Sequence, residues 1–321
     1  MAGELAKPGG PPVLVLTGPT GIGKSAWAIR LAEEAPVEIV SVDSALVYRG
    51  LDIGTAKPER ELRRRITHHL IDICDPTESY SAGRFVADAL RSITAIRERA
   101  KVPLLVGGTL LYLRALLHGL APLPAASPTL RRELDERAAA QGWPALHAEL
   151  SRRDAEAARR IKPTDAQRIQ RALEVCYATG RPISELQRET VSPLGPLQVR
   201  AWALLPLERA ALHRHLEQRL HRMMQAGFLE EVRALHQRGD LHARHSSMRA
   251  VGYRQLWAHL EGECDLEEAT QQAVSATRQL AKRQLTWIRG EQAFTRICTD
   301  ELDIQASWIR DVRRELRELG L

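Results

Sequence analysis

Residues 18–25 read GPTGIGKS and fill the phosphate-loop pattern G-x-x-x-x-G-K-[ST], as Gly18, Pro19, Thr20, Gly21, Ile22, Gly23, Lys24 and Ser25. The flanks suit a working loop. VLVLTG, from Val13, is an apolar run ending in glycine, and SAWAIRLAEEA has helical spacing of Trp27, Ile29 and Leu31. A strand–loop–helix of this kind turns successive backbone N–H groups and a helix N-terminus toward an anion. Lys24 adds a mobile positive charge, and the Ser25 hydroxyl is placed to ligate a Mg²⁺ ion that bridges phosphate oxygens. The motif identifies a phosphate but not what carries it. A nucleotide hydrolase would show a strand ending in a metal-holding Asp. VEIVSVD could be that strand, but PLLVGGT holds no acidic residue and no base-recognition loop is evident.

The first 120 residues or so alternate strand and helix. VEIVSVD ends at Asp43, HHLIDIC starts at His68 and VPLLVGGT starts at Val102; each reads as a strand. Between the last two, Phe85, Val86, Ala89, Leu90, Ile93 and Ile96 have the spacing of an amphipathic helix. Such alternation predicts an α/β fold, a phosphate-loop-type parallel sheet with helices on both faces. Ligands of such sheets bind at the carboxyl ends of the strands, where Gly18, Asp43 and Thr109 converge. Two Pro-rich breaks, APLPAASP and SPLGP, bracket a stretch that reads as helix throughout. The expected organisation is a first part of the core over 1–122, a helical insertion over 123–196, and core completion with C-terminal helices over 197–321. Asp165 marks a helix start and Gly180 a stop. LQVRAWALLP, from Leu197, resumes the sheet, and only long helices are expected after it.

The chain has 321 residues and a net charge of +6, which suits a polyanionic partner without proving one. The cysteines Cys74, Cys176, Cys264 and Cys298 form no C-x-x-C pair, so neither a disulfide framework nor a zinc site is expected. MAGELAKPGGPP has no apolar core and does not read as a signal peptide. No apolar run reaches membrane-spanning length. A cytoplasmic location, no membrane contact and a monomer are the expectations. His213, His215 and His221 share a helix at a spacing that scatters them around it, so they read as surface.

Ser41–Pro58, SVDSALVYRGLDIGTAKP, resembles the signature of the tRNA dimethylallyltransferases, also called isopentenyl-diphosphate:tRNA transferases. That signature reads close to S-x-D-S-x-Q-x-Y-x-x-x-D-I-G-T-A-K-P. GPTGIGKS, PLLVGGTLLYLRALL, DAQRIQRALEV, MRAVGYRQ and TRQLAKRQLTWIRG resemble further family blocks, in family order over nearly the whole chain. Leu46 stands where many relatives carry Gln, and Gly21-Ile22 replaces the more usual Ala-Ser. The cysteine spacing does not match the zinc-finger extension of some eukaryotic relatives.

The resemblance implies transfer of a dimethylallyl group from dimethylallyl diphosphate to the exocyclic amine of the adenosine immediately 3′ of the anticodon. The tRNAs concerned read codons that begin with U. The phosphate loop then holds the donor's diphosphate, with Mg²⁺ as cofactor and Ser25 as its protein ligand. An adenine amine is a poor nucleophile, and a carboxylate at a strand end can take its proton. Asp43 is the candidate base, although by its residue type alone it could equally cap a helix or hold a metal. Arg219 matches a family arginine that stabilises the leaving group, although its spacing alone fits a solvated helix charge as well; Thr109 is placed to bond the base or Asp43, or to cap a helix.

The base must be drawn out of the anticodon loop to react. The tRNA contacts implied are Asp43, Ser44, Ala45 and Leu46 with Thr109; Arg131; Gln167, Arg168, Ile169, Gln170 and Arg171; Arg249, Ala250, Val251, Gly252, Tyr253 and Arg254; and Lys282, Arg283 and Arg289. Arg278, Lys282 and Arg289 fall within about 40° on a helical wheel. For any one such stripe taken alone, a solvated helix face is the commoner reading. Two other readings remain open at this level: a phosphate-loop kinase or ATPase, and an RNA-binding module whose loop is vestigial.

Overall fold

The computed structural model describes residues 10–299 and 303–321. The N-terminal residues MAGELAKPG, read above as no signal peptide, lie outside the described residues. The described chain forms two compact units, one of Met1–Leu113 with Leu194–Leu321, the other of Arg114–Pro193.

The larger unit is built on one sheet. Its strands are β1 (Val13–Thr17), β2 (Val37–Val42), β3 (His68–His69), β4 (Val102–Gly107), β5 (Val199–Leu205) and β6 (Thr295–Cys298). Their order is β3-β2-β4-β1-β5-β6, and every pairing is parallel. β1, β2 and β4 are buried at every residue, the mark of strands covered on both faces. On one face Trp27, Ala28 and Leu31 of the helix Lys24–Glu34 pack with Trp308, Ile309, Val312 and Leu316 of the helix Ile304–Glu318. Trp27 and Trp308 meet at 5.4 Å between ring centroids.

Two strand expectations are corrected. HHLIDIC contributes only His68–His69 to the sheet. Leu70 and Asp72 take left-handed φ values of 63° and 58°, which end the extended run. Asp72 is held there by Lys57 and by Arg63, whose Nη1 donates at 2.7 Å. Conversely, β6 follows the long helix Leu266–Gly290, where only helices were expected. Its residues TRIC form an edge strand with Thr295 and Arg296 exposed, so it lacks the apolar run that reveals a central strand.

The smaller unit is helical. Pro128–Gln141, Trp143–Arg153, Ala155–Arg160, Ala166–Thr179 and Ile183–Leu186 surround a core that includes Leu134, Leu146, Leu150, Ile169 and Leu173. Asp154, 3% exposed, breaks what reads as one helix into two. Its carboxylate accepts the N–H of Ala157 and both the N–H and hydroxyl of Ser184. Asp165 caps the helix Ala166–Thr179 through Arg168 N–H, and Gly180 ends it at φ 69°. Among the described residues no helix is long and apolar enough to cross a membrane.

Candidate functional site

The ends of β1, β2 and β4 are drawn together by two contacts. Thr17 Oγ1 donates to Gly107 O at 2.9 Å. A Cβ on Gly107 would stand 2.1 Å from Val42 O, so only glycine lets β4 close on β2 there. The loops that follow these three strands carry the phosphate loop, Asp43 and Thr109.

The phosphate loop leads into the helix Lys24–Glu34 through Gly23, at φ 95°. Lys24 Nζ donates to Gly18 O at 3.0 Å and Pro19 O at 2.8 Å. Burial pushes the Lys24 ammonium down to about 8; the Asp43 carboxylate works against that shift, and Arg219 reinforces it. Ser25 is exposed on the first turn of the helix.

Asp43 forms a turn with its own loop. Its Oδ1 accepts Ala45 N–H at 2.8 Å and Leu46 N–H at 3.2 Å, which leaves Oδ2 clear of those bonds. Thr109 Oγ1 accepts Ser44 N–H at 3.0 Å, so Thr109 bonds the residue after Asp43 rather than Asp43 itself. Thr109 also starts a helix, since its carbonyl accepts from Tyr112 and Leu113.

Arg219 projects from the helix Arg209–Gln225 into a cleft of about 640 Å³ that Lys57, Arg60, Arg63 and Arg222 also line, against Asp52 and Glu59. Burial lowers the Arg219 pKa, Asp43 raises it and Arg222 lowers it further. A carboxylate thus stands within electrostatic reach of two partly desolvated cations. That arrangement suits a proton acceptor next to a polyanionic leaving group.

The remaining expected contacts divide. Arg249, Arg254, Lys282, Arg283 and Arg289 are exposed, and Ala250 and Val251 are half-buried. Gly252 and Tyr253, by contrast, turn inward. Tyr253 donates its hydroxyl to Glu231, whose carboxylate also accepts the N–H groups of Asp52, Ile53 and Gly54. The DIG segment and the AVGY turn therefore lock to each other through Glu231, and Tyr253 is corrected from RNA contact to core. Arg278, in the expected cationic stripe, is paired with Glu217 at 2.9 Å.

Within the helical unit Gln167 and Arg168 are exposed, whereas Ile169 is fully buried and cannot reach RNA with its side chain. Gln170 is tied to Asp135. Arg131 and Arg171 both bond Glu174, which is fully buried, and Arg171 also donates to Pro124 O at 2.7 Å. Those two arginines neutralise a buried carboxylate, a task their charge alone does not reveal.

One residue escaped the sequence reading. Gln284, 5% exposed, joins Thr20 to Gly108 by its side-chain amide. The signal was present: a polar residue among Ala281, Leu285 and Ile288, on the apolar stripe of its helix. The cations Lys282, Arg283 and Arg289 occupy the exposed side of the same helix. Among the described residues no group of three His, Cys, Asp or Glu could hold a metal, and the cysteines are free thiols.

The IPP transferase family model matches residues 46–291, and an isopentenyl transferase model matches residues 11–73. The tRNA dimethylallyltransferase of Alkalilimnicola ehrlichii is 54% identical over 301 residues, 94% of this chain and 95% of that protein. That of Bordetella petrii is 55% identical over 282 residues, 87% and 90% of the two chains. The crystal structure of full-length tRNA isopentenylpyrophosphate transferase from Bacillus halodurans superposes with a TM-score of 0.70 at 34% identity, covering 96% of this chain and 98% of that one. A eukaryotic dimethylallyltransferase described as acting on tRNA gives a TM-score of 0.76 at 27% identity, over 94% and 78% of the two chains.

Proposed function

The chain belongs to the family of tRNA dimethylallyltransferases, and we propose on that basis that it moves a dimethylallyl group from dimethylallyl diphosphate to tRNA. The acceptor is the exocyclic amine of the adenosine immediately 3′ of the anticodon, in tRNAs reading codons that begin with U. The observation that carries the mechanism is the Asp43 carboxylate at the end of β2, one oxygen held by its own turn and the group within electrostatic reach of both Lys24 and Arg219.

The amine nitrogen attacks the allylic carbon, the carbon–oxygen bond breaks, and its electron pair leaves on diphosphate. The nitrogen's proton passes to Asp43, and Oδ2 is the oxygen left to take it, because Oδ1 is held by Ala45 and Leu46. N–H groups toward the helix end of the phosphate loop, with Lys24 and Arg219, meet the developing charge, the kind of fixed stabilisation that dominates such reactions, while the Thr20 N–H is held by Gln284. The basic cleft beside Arg219 gives a diphosphate a path of matching charge.

Ser25 fits a Mg²⁺ ion. Its hydroxyl is exposed at the helix start, and hard-cation sites on phosphate loops draw their other ligands from phosphate oxygens and water. Such an ion, held by Ser25, would neutralise diphosphate charge. The exposed Gln167, Arg168, Arg249, Arg254, Lys282, Arg283 and Arg289 are the proposed tRNA contacts, together with Ser44, Ala45, Leu46 and Thr109. The protein is proposed to act as a cytoplasmic monomer.

Incubation with labelled dimethylallyl diphosphate and unmodified tRNA tests the reading. Label should enter the RNA, less of it when Mg²⁺ is withheld. Stoichiometric ADP release with ATP, and no label in RNA, would replace it with kinase chemistry.

A further inference from the structure

Gln284 lies on the helix Leu266–Gly290 among Ala281, Leu285 and Ile288, all buried. Its amide is used at both ends with opposite polarity. Oε1 accepts Thr20 N–H at 2.8 Å, and Nε2 donates to Gly108 O at 2.8 Å. Thr20 belongs to the phosphate loop. Gly108 precedes Thr109, whose hydroxyl accepts the N–H of Ser44, the residue after Asp43. Gly108 is fitted to the amide: a Cβ there would stand 2.5 Å from Nε2 and 3.2 Å from Gly18 O. One side chain therefore spans the loop after β1 and the loop after β4, and it does so by oriented bonds that no apolar residue can copy.

We propose that Gln284 is a positioning residue of the transfer reaction. Its amide sets the separation between the loop that holds the donor diphosphate and the Thr109–Ser44–Asp43 link that receives the acceptor amine. It touches neither substrate. This rests on the function proposed above.

The physical reason is the steepness of proximity. Reacting atoms must be held about 3–3.5 Å apart, and a misplacement of about 1 Å can cost on the order of 10²-fold. Loss of the strut leaves each loop able to bind its own ligand, so the rate suffers while affinity does not. Gln284→Met keeps the side-chain length and loses both bonds. Gln284→Glu keeps the acceptor for Thr20 N–H but sets a carboxylate against Gly108 O, an unmatched buried pair.

The test measures the single-turnover rate of dimethylallyl transfer, the Kd of dimethylallyl diphosphate and the Kd of tRNA. The proteins are the wild-type chain, Gln284→Met, Gln284→Glu and Gly108→Ala. The expected result is a rate loss of roughly 10- to 100-fold with both Kd values within about 2-fold of wild type. Should either Gln284 variant fail to fold, Gly108→Ala carries the same expectation for rate, since its methyl displaces the amide nitrogen; that methyl also stands 3.2 Å from Gly18 O, so donor affinity is read from the remaining Gln284 variant. A lowered Tm with an unchanged rate per folded enzyme would reduce Gln284 to a packing residue and overturn the proposal. So would a loss of donor affinity as large as the loss of rate, because the amide would then shape the phosphate loop alone. A wild-type chain that transfers no label overturns the function and this inference with it; wild-type transfer with an unimpaired Gln284→Met overturns this inference alone.

Discussion

Thr109 Oγ1 accepts the backbone N–H of Ser44 at 3.0 Å, a bond between residues that follow two different strands of the sheet. It fixes the start of the Asp43 turn against the end of β4 with a hydroxyl, beside the main-chain bond from Thr109 N–H to Val42 O at 3.2 Å. Thr109→Ser should retain most activity, since the hydroxyl remains. Thr109→Val, of nearly the same shape, should lower turnover on the order of 10-fold, the two being separated by steady-state transfer assays.

Asp43→Asn should lower turnover by roughly 10²–10⁴ while tRNA affinity stays near the wild-type value. The amide oxygen can still accept from Ala45 and Leu46, so the turn persists and only basicity is lost. Near-normal turnover in this variant would remove Asp43 from the mechanism.

Donor capture should depend on pH through Lys24, held by burial at about 8. Below that value the ammonium is charged and meets the diphosphate; above it the free enzyme carries a neutral amine. kcat/KM for the donor should therefore fall as pH rises through about 8. kcat should stay level, because a bound diphosphate favours the charged form. Lys24→Arg keeps its charge at all these pH values, so its profile should lack the break even if its overall rate is lower.

Lys282 and Arg171 are both basic residues of expected RNA-binding blocks, yet their variants should behave differently. Lys282 is exposed, and Lys282→Ala should weaken tRNA binding and flatten the slope of log K against log[salt] by about 0.7–0.9. Arg171 neutralises the buried Glu174, so Arg171→Ala should cost about 1.5–3 kcal/mol of stability. Filter binding across several salt concentrations, paired with thermal melts, separates the two roles.

Gly54→Ala should destabilise the chain by about 1–3 kcal/mol or more, because its Cβ would lie 2.1 Å from Phe228 Cε2 and 2.7 Å from Tyr253. Gly290→Ala is the control, since nothing stands within 4 Å of a Cβ there. Equal melting midpoints for the two would show that the DIG segment yields where it is packed most tightly.

The family, the parallel sheet and the phosphate loop were legible in the chain itself. Each depends on local order: the strand–loop–helix around Gly18–Ser25, the buried runs of β1, β2 and β4, and signature blocks in fixed succession. The helix stop at Gly180 was legible for the same reason, since a left-handed residue is specified by its own backbone. β6 was not, because an edge strand four residues long has no periodicity of its own and exists only by pairing with β5.

Side-chain partners were the other gap. Arg131 and Arg171 look like RNA-facing charge until Glu174 is seen buried between them, and Tyr253 looks like a contact until it is found on Glu231. Gln284 lies more than 170 positions from Gly108 and more than 260 from Thr20, so no local pattern could pair it with either. The sequence alone determines which residue types can do phosphate and proton chemistry, because that is written in their functional groups and spacing. Which charges are spent inside the protein, and which bonds set the distance between donor and acceptor loops, was decided only by tertiary packing, since burial and long-range hydrogen bonds exist only once the chain has closed on itself.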